Sequence, residues 1–166
     1  MANILIVDDE PHVLSALQRE LRQYPPLGAT EPVTVFTATS GEDALEMVRQ
    51  TPFAAILSDY RMPDLDGVAF LSECRFLQPD AARIIMSGLA DIEGLIKAIN
   101  EAKIDRFVRK PWHYYDVVSA LGDAIRLHRM LREHELMANE LQRLEAENPG
   151  LSRLVWDGLH QRLSTR

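Results

Sequence analysis

Short apolar runs alternate along the chain with stretches in which apolar residues recur every three or four positions. A continuous apolar run is typical of a strand buried in a sheet, and the longer spacing is typical of an amphipathic helix. The strand pattern occurs in five places, at residues 3–8, 33–38, 53–58, 82–87 and 106–109. The chain is therefore predicted to alternate between strands and helices.

Helix signals lie between these strands. Pro11 suits the first turn of one helix, Ser40 is a candidate cap for a second, and a third is predicted over residues 67–77. A fourth is marked by Ile92, Leu95, Ile96 and Ile99, and a fifth begins near His113. With right-handed crossovers, these elements predict an α/β fold: a doubly wound five-stranded parallel sheet in the flavodoxin-like order 2-1-3-4-5.

The fifth predicted helix is extended. No stop signal follows it until Pro149, and Gly122 is the only weak helix former before that point. Such a helix has about 35 residues and a length of roughly 50 Å, more than a compact domain needs. We therefore expect a domain over residues 1–125, a helical extension over 126–148 and a short amphipathic terminal segment over 149–166. The apolar residues of that last segment are Leu151, Leu154, Val155, Leu159 and Leu163, with Trp156 as an anchor.

The extension carries apolar residues with the alternating three- and four-residue spacing of a coiled coil. We call this set the heptad seam: Leu127, Met130, His134, Met137, Leu141 and Leu144. It predicts a homodimer through the helix, although the seam spans only about three heptads and includes a histidine. Two alternatives stay open, because the helix can also pack on its own domain or dock on a separate effector protein.

Length and charge narrow the possible functions. The 166 residues suffice for one core with an appendage. Residues 1–125 hold 11 basic and 19 acidic side chains, and the remaining 41 residues hold 7 and 6, so no basic surface for direct nucleic-acid binding is expected. No apolar run reaches bilayer length and the first residues lack a signal-like core, which predicts a cytoplasmic protein without a membrane role. The lone Cys74 is predicted to be a buried, small apolar residue.

Polar residues with complementary chemistry follow four of the strands. Asp8 and Asp9 follow the first, Asp59 the third, and Lys110 the fifth, while Ser87 ends the fourth. The carboxyl ends of parallel strands meet at one edge of a sheet. Clustered carboxylates there attract a divalent cation, and an ammonium suits an anionic phosphoryl group. We predict a phosphoryl-transfer site with Asp59 as nucleophile, rather than a set of turn-capping aspartates and a surface salt bridge.

The order and spacing of these residues carry a resemblance. The segments concerned are Asp8-Asp9, Asp59-Tyr60-Arg61-Met62-Pro63-Asp64-Leu65-Asp66-Gly67, Ser87-Gly88 and Lys110-Pro111. Over residues 1–125 the chain resembles the receiver domain of two-component response regulators. The resemblance implies that a sensor histidine kinase or phosphotransfer protein phosphorylates Asp59. It also implies Mg²⁺, or Mn²⁺, bound directly by Asp9, Asp59 and the backbone carbonyl of Arg61, with Asp8 acting through water.

The resemblance also implies a switch. Lys110, placed by a cis bond to Pro111, contacts the phosphoryl group, the Ser87 hydroxyl moves toward it, and Phe107 rotates into the vacated space. The surface of the fourth helix, fifth strand and fifth helix then changes. Phe107 stands where tyrosine is frequent, so the switch would depend on packing alone. The large, cationic Arg61 leads us to expect a changed lifetime of the phosphoryl group.

Several functional alternatives remain. The Asp-Tyr-Arg-Met-Pro and Lys-Pro-Trp segments resemble receivers joined to cyclic-di-GMP phosphodiesterase domains or to hydrogenase-type transcriptional activators, so the chain can be the receiver fragment of a larger regulator. A phosphorylation-independent scaffold is a second alternative. We do not expect an enzyme, because a metal-dependent phosphatase needs another carboxylate soon after the nucleophile, and Arg61 stands there.

Overall fold

A computed structural model describes residues 1–29, 31–88, 100 and 102–147. The strands are β1 (Ala2–Val7), β2 (Val33–Ala38), β3 (Ala55–Asp59), β4 (Ala82–Ser87) and β5 (Arg106–Arg109). The helices are α1 (Pro11–Gln23), α2 (Gly41–Gln50), α3 (Gly67–Leu77) and one over Tyr114–Glu147, here called the long helix. The strands form one parallel sheet in the order β2-β1-β3-β4-β5. The predicted fold is confirmed, with strand ends shifted by one or two residues. The predicted fourth helix, with Ile92 to Ile99, and the segment 149–166 lie outside the described residues.

The core lies on both faces of the sheet because the central strands are buried along their whole length. Alternate residues of each strand point to opposite faces. On one face Ile4, Leu57 and Ile84 join an apolar cluster that includes α1 and the start of the long helix. On the other face Leu5 and Ile56 belong to a cluster with α2 and α3. This burial on both faces explains why the strands appear in the sequence as continuous apolar runs.

Local signals determine where several helices begin. Pro11 is in the first turn of α1, and the Ser40 hydroxyl accepts a hydrogen bond from the Asp43 N–H at 3.1 Å, as predicted. At α3 the Asp66 carboxylate accepts from the Ala69 N–H at 2.8 Å. Each cap satisfies a backbone donor that the first turn of a helix leaves without a partner.

A half-buried side-chain amide connects three elements in a way that the sequence pattern did not indicate. Gln78, at the end of α3, donates to the carbonyls of Val48 at 2.6 Å and Thr51 at 2.7 Å. Its Oε1 accepts from the Phe53 N–H at 2.8 Å. The end of α2 and the approach to β3 therefore have their backbone groups satisfied by one glutamine.

The loop between α1 and β2 packs against the first part of the long helix. The Leu27 N–H donates to the Val118 carbonyl at 3.1 Å, and Arg126 Nη1 donates to the Leu27 carbonyl at 3.0 Å. A Cβ added at Gly122 would lie 2.2 Å from the Leu27 carbonyl oxygen. Gly122 was predicted only as a weak point of the helix, and the structure shows that it permits this close contact.

The chain divides into two compact units, Met1–Arg129 and Met130–Arg166, with the boundary inside the long helix. In the second unit, helical residues continue to Glu147, and residues 131–143 are exposed. Within the described parts of the chain, no helix combines the length and apolar character needed to cross a membrane.

Candidate functional site

Three charged side chains converge at the carboxyl edge of the sheet. Lys110 Nζ lies 2.6 Å from Asp59 Oδ1 and 2.8 Å from Asp8 Oδ2. Parallel pairing of Val7 with Ser58 brings the next residues, Asp8 and Asp59, side by side. The prediction that residues from three strand ends meet is thus confirmed for Asp8, Asp59 and Lys110.

Burial dominates the electrostatics of Asp59. Loss of solvent raises the pKa of Asp59, while hydrogen bonding and attraction from Lys110 lower it, and the charge of Asp8 raises it again. The net direction is upward. Burial alone lowers the pKa of Lys110, but the hydrogen bonds and charges of Asp59 and Asp8 outweigh it and raise that pKa overall. The lysine is therefore a persistent cation between two carboxylates.

The loop after β3 folds back tightly onto the strand end. The Arg61 N–H donates to Asp59 Oδ2 at 3.1 Å, and the Gly67 N–H donates to the Tyr60 carbonyl at 3.1 Å. A Cβ added at Gly67 would lie only 2.0 Å from the Asp59 carbonyl oxygen. Gly67 is therefore required by a backbone contact next to the candidate nucleophile. This role of Gly67 was not predicted, although a glycine that opens a helix after a turn-rich loop is a signal for it in the sequence.

Backbone groups also hold Asp8. The Glu10 N–H donates to Asp8 Oδ1 at 2.9 Å, so the two Asp8 oxygens have different partners. Asp8 is fully buried, Asp9 is half-buried, and Glu10 is exposed. The neighbouring aspartates thus differ in their access to solvent.

The donor set fits a hard divalent cation. Asp8 and Asp59 hold the Lys110 ammonium between them, Asp9 is the next residue after Asp8 in the chain, and carboxylate oxygens suit Mg²⁺. Within the described residues, no group of three or more His, Cys, Asp or Glu side chains is arranged as a ready-made metal site. A mixed set with the Arg61 carbonyl as third protein ligand therefore stays a prediction.

Ser87 and Phe107 occupy neighbouring strands. Ser87 is buried at the end of β4, and its carbonyl accepts from the Lys110 N–H at 2.7 Å. Phe107 on β5 is 41% exposed, whereas the next residue, Val108, is buried. The Phe107 side chain is therefore partly open to solvent, and the Ser87 backbone is bonded to that of Lys110.

The chain following Lys110 is anchored on α1. The Lys110-Pro111 bond is cis, as expected. Trp112 Nε1 then donates to Glu20 Oε2 at 2.8 Å, a contact that the sequence analysis missed. This contact joins residues far apart in the sequence, and neither residue has a local pattern that indicates the other.

The response regulator receiver domain family matches residues 4–122. The chain belongs to the response regulator receiver family. One relative is the hydrogenase transcriptional regulatory protein HoxA of Bradyrhizobium diazoefficiens, 37% identical over 132 residues that cover 80% of this chain and 26% of HoxA. The transcriptional regulatory protein ZraR of Escherichia coli K12 is 32% identical over 123 residues, covering 74% of this chain and 26% of ZraR.

A solved receiver domain has the same fold. It belongs to an HD domain-containing protein from Pseudomonas fluorescens Pf-5, with 29% identity, a TM-score of 0.71 and coverage of 80% of this chain and 92% of that chain. The chain spans about a quarter of the length of the curated relatives it matches. The receiver family is thus shown for this chain, whereas HoxA and ZraR each extend well beyond the matched part.

Proposed function

We propose that this receiver domain accepts a phosphoryl group on Asp59 from a sensor histidine kinase or a phosphotransfer protein. The observation that carries the proposal is the Asp59 carboxylate at the end of a central strand, 2.6 Å from the Lys110 ammonium and beside Asp8. An aspartate that served only to cap a turn would not need two charged partners from distant strands. Carboxylates are established nucleophiles for phosphoryl transfer.

The chemistry follows from the residues present. An Asp59 carboxylate oxygen attacks the phosphorus of a phosphohistidine, the P–N bond breaks as the P–O bond forms, and the histidine leaves after taking up a proton. Lys110 neutralises charge on the transferred group, because its raised pKa keeps it cationic. Asp9, Asp59 and the Arg61 carbonyl would hold Mg²⁺ or Mn²⁺, with Asp8 acting through water. The cation would neutralise phosphoryl oxygens and align the group for in-line transfer.

Three further side chains would take part in the switch or protect the phosphoryl group. Ser87 would donate its hydroxyl to the phosphoryl group, and the exposed Phe107 ring would turn inward, which changes the surface around β5. The side chain of Arg61 would shield the acyl phosphate from water. Comparing acyl-phosphate decay in the wild type and Arg61→Ala tests this last role, and equal decay rates contradict it.

Output would pass through the long helix. The apolar spacing of the heptad seam, taken without its flanking charges, suits pairing with a second copy, and its exposed apolar residues also suit docking on an effector protein. As a second candidate function, the chain would be the receiver part of a larger transcriptional regulator. HoxA and ZraR are transcriptional regulatory proteins, and the chain covers 26% of each. A scaffold that does not use phosphorylation is the remaining alternative.

The test is covalent labelling of Asp59. The chain is incubated with a small acyl-phosphate donor and Mg²⁺, and the modified peptide is identified by mass spectrometry. We expect one phosphoryl group on Asp59, none in Asp59→Asn, and unchanged labelling in Asp64→Asn, which alters an exposed carboxylate of the same loop. If Asp59 takes up no phosphoryl group and binds no beryllofluoride, the scaffold function replaces this proposal.

A further inference from the structure

The distal part of the long helix has an exposed apolar face. In residues 130–147 the heptad seam consists of Met130, His134, Met137, Leu141 and Leu144. Met130 is 63% exposed, Met137 70% and Leu141 60%, whereas Leu144 is half-buried. Aligned apolar side chains on one helix face are the usual anchors for a second helix. This face therefore has the pattern of a helix-binding surface.

The charges beside this face have one sign. In a heptad abcdefg the seam lies at positions a and d, here with His134 and Leu141 at a, and the residue before each a and the residue after each d flank the contact with a partner helix. These flanking positions hold Glu133, Glu140 and Glu145, and the other two, occupied by Leu131 and Ala138, are uncharged. All the charged residues that flank the seam within 131–145 are therefore acidic.

The arginines of this segment lie farther from the seam. Arg132 and Arg143 occupy outward positions of the heptad. Arg143 Nη2 contacts Glu140 Oε1 at 2.7 Å, but both side chains are more than half exposed, and pairs of this kind add little stability. With five glutamates and two arginines, residues 130–147 have a formal charge of −3 when His134 is neutral.

Pairing of two copies would place like charges together. In a parallel, in-register pair, Glu140 would face Glu145 of the second copy, and the symmetry repeats this repulsion. In an antiparallel pair the positions of Glu133 and Glu140 face the same kind of position in the second copy, so on that side of the seam glutamate again meets glutamate. The two His134 side chains would also meet inside a parallel seam. The charge pattern thus disfavours the second copy as the occupant.

We propose that residues 130–147 dock a helix of a different protein, one whose apolar stripe is flanked by lysine or arginine. The apolar seam supplies the contact area, and the flanking glutamates select a basic partner over an acidic one. The inference rests on the proposed output role of the long helix and is independent of phosphoryl transfer to Asp59.

The test uses two designed peptides with leucine at every seam position. The basic probe has lysine at all flanking positions, and the acidic probe has glutamate there. We expect the full chain to bind the basic probe roughly tenfold more tightly, by calorimetry at low salt, with a smaller ratio at high salt. Equal affinities, or tighter binding of the acidic probe, overturn the proposal.

Variants distinguish binding through the heptad seam from general electrostatic attraction between the chain and the probe. Leu141→Asp should abolish binding of the basic probe, because it disrupts the seam while adding negative charge. Binding that survives this change is electrostatic only and contradicts the proposal. Replacing Glu133, Glu140 and Glu145 together by lysine should reverse the preference between the probes. Glu135→Lys, at an outward position of the same helix, is the matched control and should leave the preferred probe the same.

Self-association is measured on the same samples by light scattering, with and without beryllofluoride. We expect no dimer that depends on Leu141, and dimer formation when the three flanking glutamates are replaced by glutamine. A wild-type dimer that Leu141→Asp dissociates would make the second copy the occupant and overturn the proposal. Labelling of Asp59 in these samples reports separately on the phosphoryl-acceptor function.

Discussion

The strand-end site and the distal part of the long helix use charge in opposite ways. At the site, Lys110 contacts both Asp8 and Asp59, and the carboxylates are buried. Along residues 131–143, the charged side chains are exposed beside exposed apolar residues, and only farther along are Leu144 and Glu145 half-buried. Buried charges must have partners within the fold, because leaving one alone is costly. Exposed charges are available to select an external partner at little cost to folding.

The largest effect on stability is expected at the buried strand-end site. Lys110→Met removes the cation shared by Asp8 and Asp59, and we expect the unfolding free energy at neutral pH to fall by about 3 kcal/mol. Urea denaturation in EDTA measures the change. Adding Asp8→Asn should recover part of the loss, because it removes one of the two carboxylates left without the lysine. A double variant no more stable than Lys110→Met contradicts this account of the site.

A smaller loss is expected where the backbone approaches the long helix. In Gly122→Ala the new Cβ would meet the Leu27 carbonyl oxygen at 2.2 Å, so the loop must move and lose its hydrogen bond to Val118. We expect a loss of about 2 kcal/mol in unfolding free energy, despite the better helix propensity of alanine. Gly41→Ala is the matched control, because its Cβ would meet the flexible Leu65 side chain. Equal stability of Gly122→Ala and the wild type would show that the loop does not require this glycine.

The raised pKa of Asp59 predicts an unusual pH dependence. At pH values above 3.8, the ordinary pKa of an aspartate side chain, the folded protein holds the Asp59 proton more tightly than the unfolded chain does. The contribution of Asp59 to stability is therefore most favourable at low pH and is lost as the pH rises through the folded-state pKa, with a slope of at most about 1.4 kcal/mol per pH unit. Asp59→Asn should lack this contribution and be more stable than the wild type at neutral pH in EDTA. If the difference in unfolding free energy between the wild type and Asp59→Asn does not change with pH, the prediction is wrong.

The smallest effect on stability is expected in the exposed distal part of the long helix. Met137→Ala changes a side chain that is 70% exposed, and the unfolding free energy should change by less than about 0.5 kcal/mol. The same variant should weaken binding of the basic probe, because it shortens an anchor of the heptad seam. Parallel denaturation and calorimetry on one preparation test both points. A large loss of stability would mean that Met137 contributes to folding.

Much of the fold was predictable because buried apolar residues follow a regular pattern in the sequence of each strand and helix. The central strands β1, β3 and β4 are buried along nearly all of their length, since both faces of a parallel sheet are covered, and the sheet order was confirmed. The meeting of Asp8, Asp59 and Lys110 was also predictable, because parallel strands place their carboxyl ends at one edge. The heptad seam is likewise a local pattern, and its flanking glutamates can be located by counting along the helix.

Other features were decided by tertiary structure. Gly67 and Gly122 are needed because backbone from elsewhere in the chain passes within contact distance, and no periodicity marks such a position. The bonds of Gln78 to α2 and of Trp112 to Glu20 join residues distant in sequence. The pKa shift of Asp59 depends on how completely the fold removes water. The sequence by itself therefore determined the elements and the edge at which the site lies, since these follow from local period and chain direction. Only the folded chain determined close backbone contacts and burial, since these depend on three-dimensional proximity.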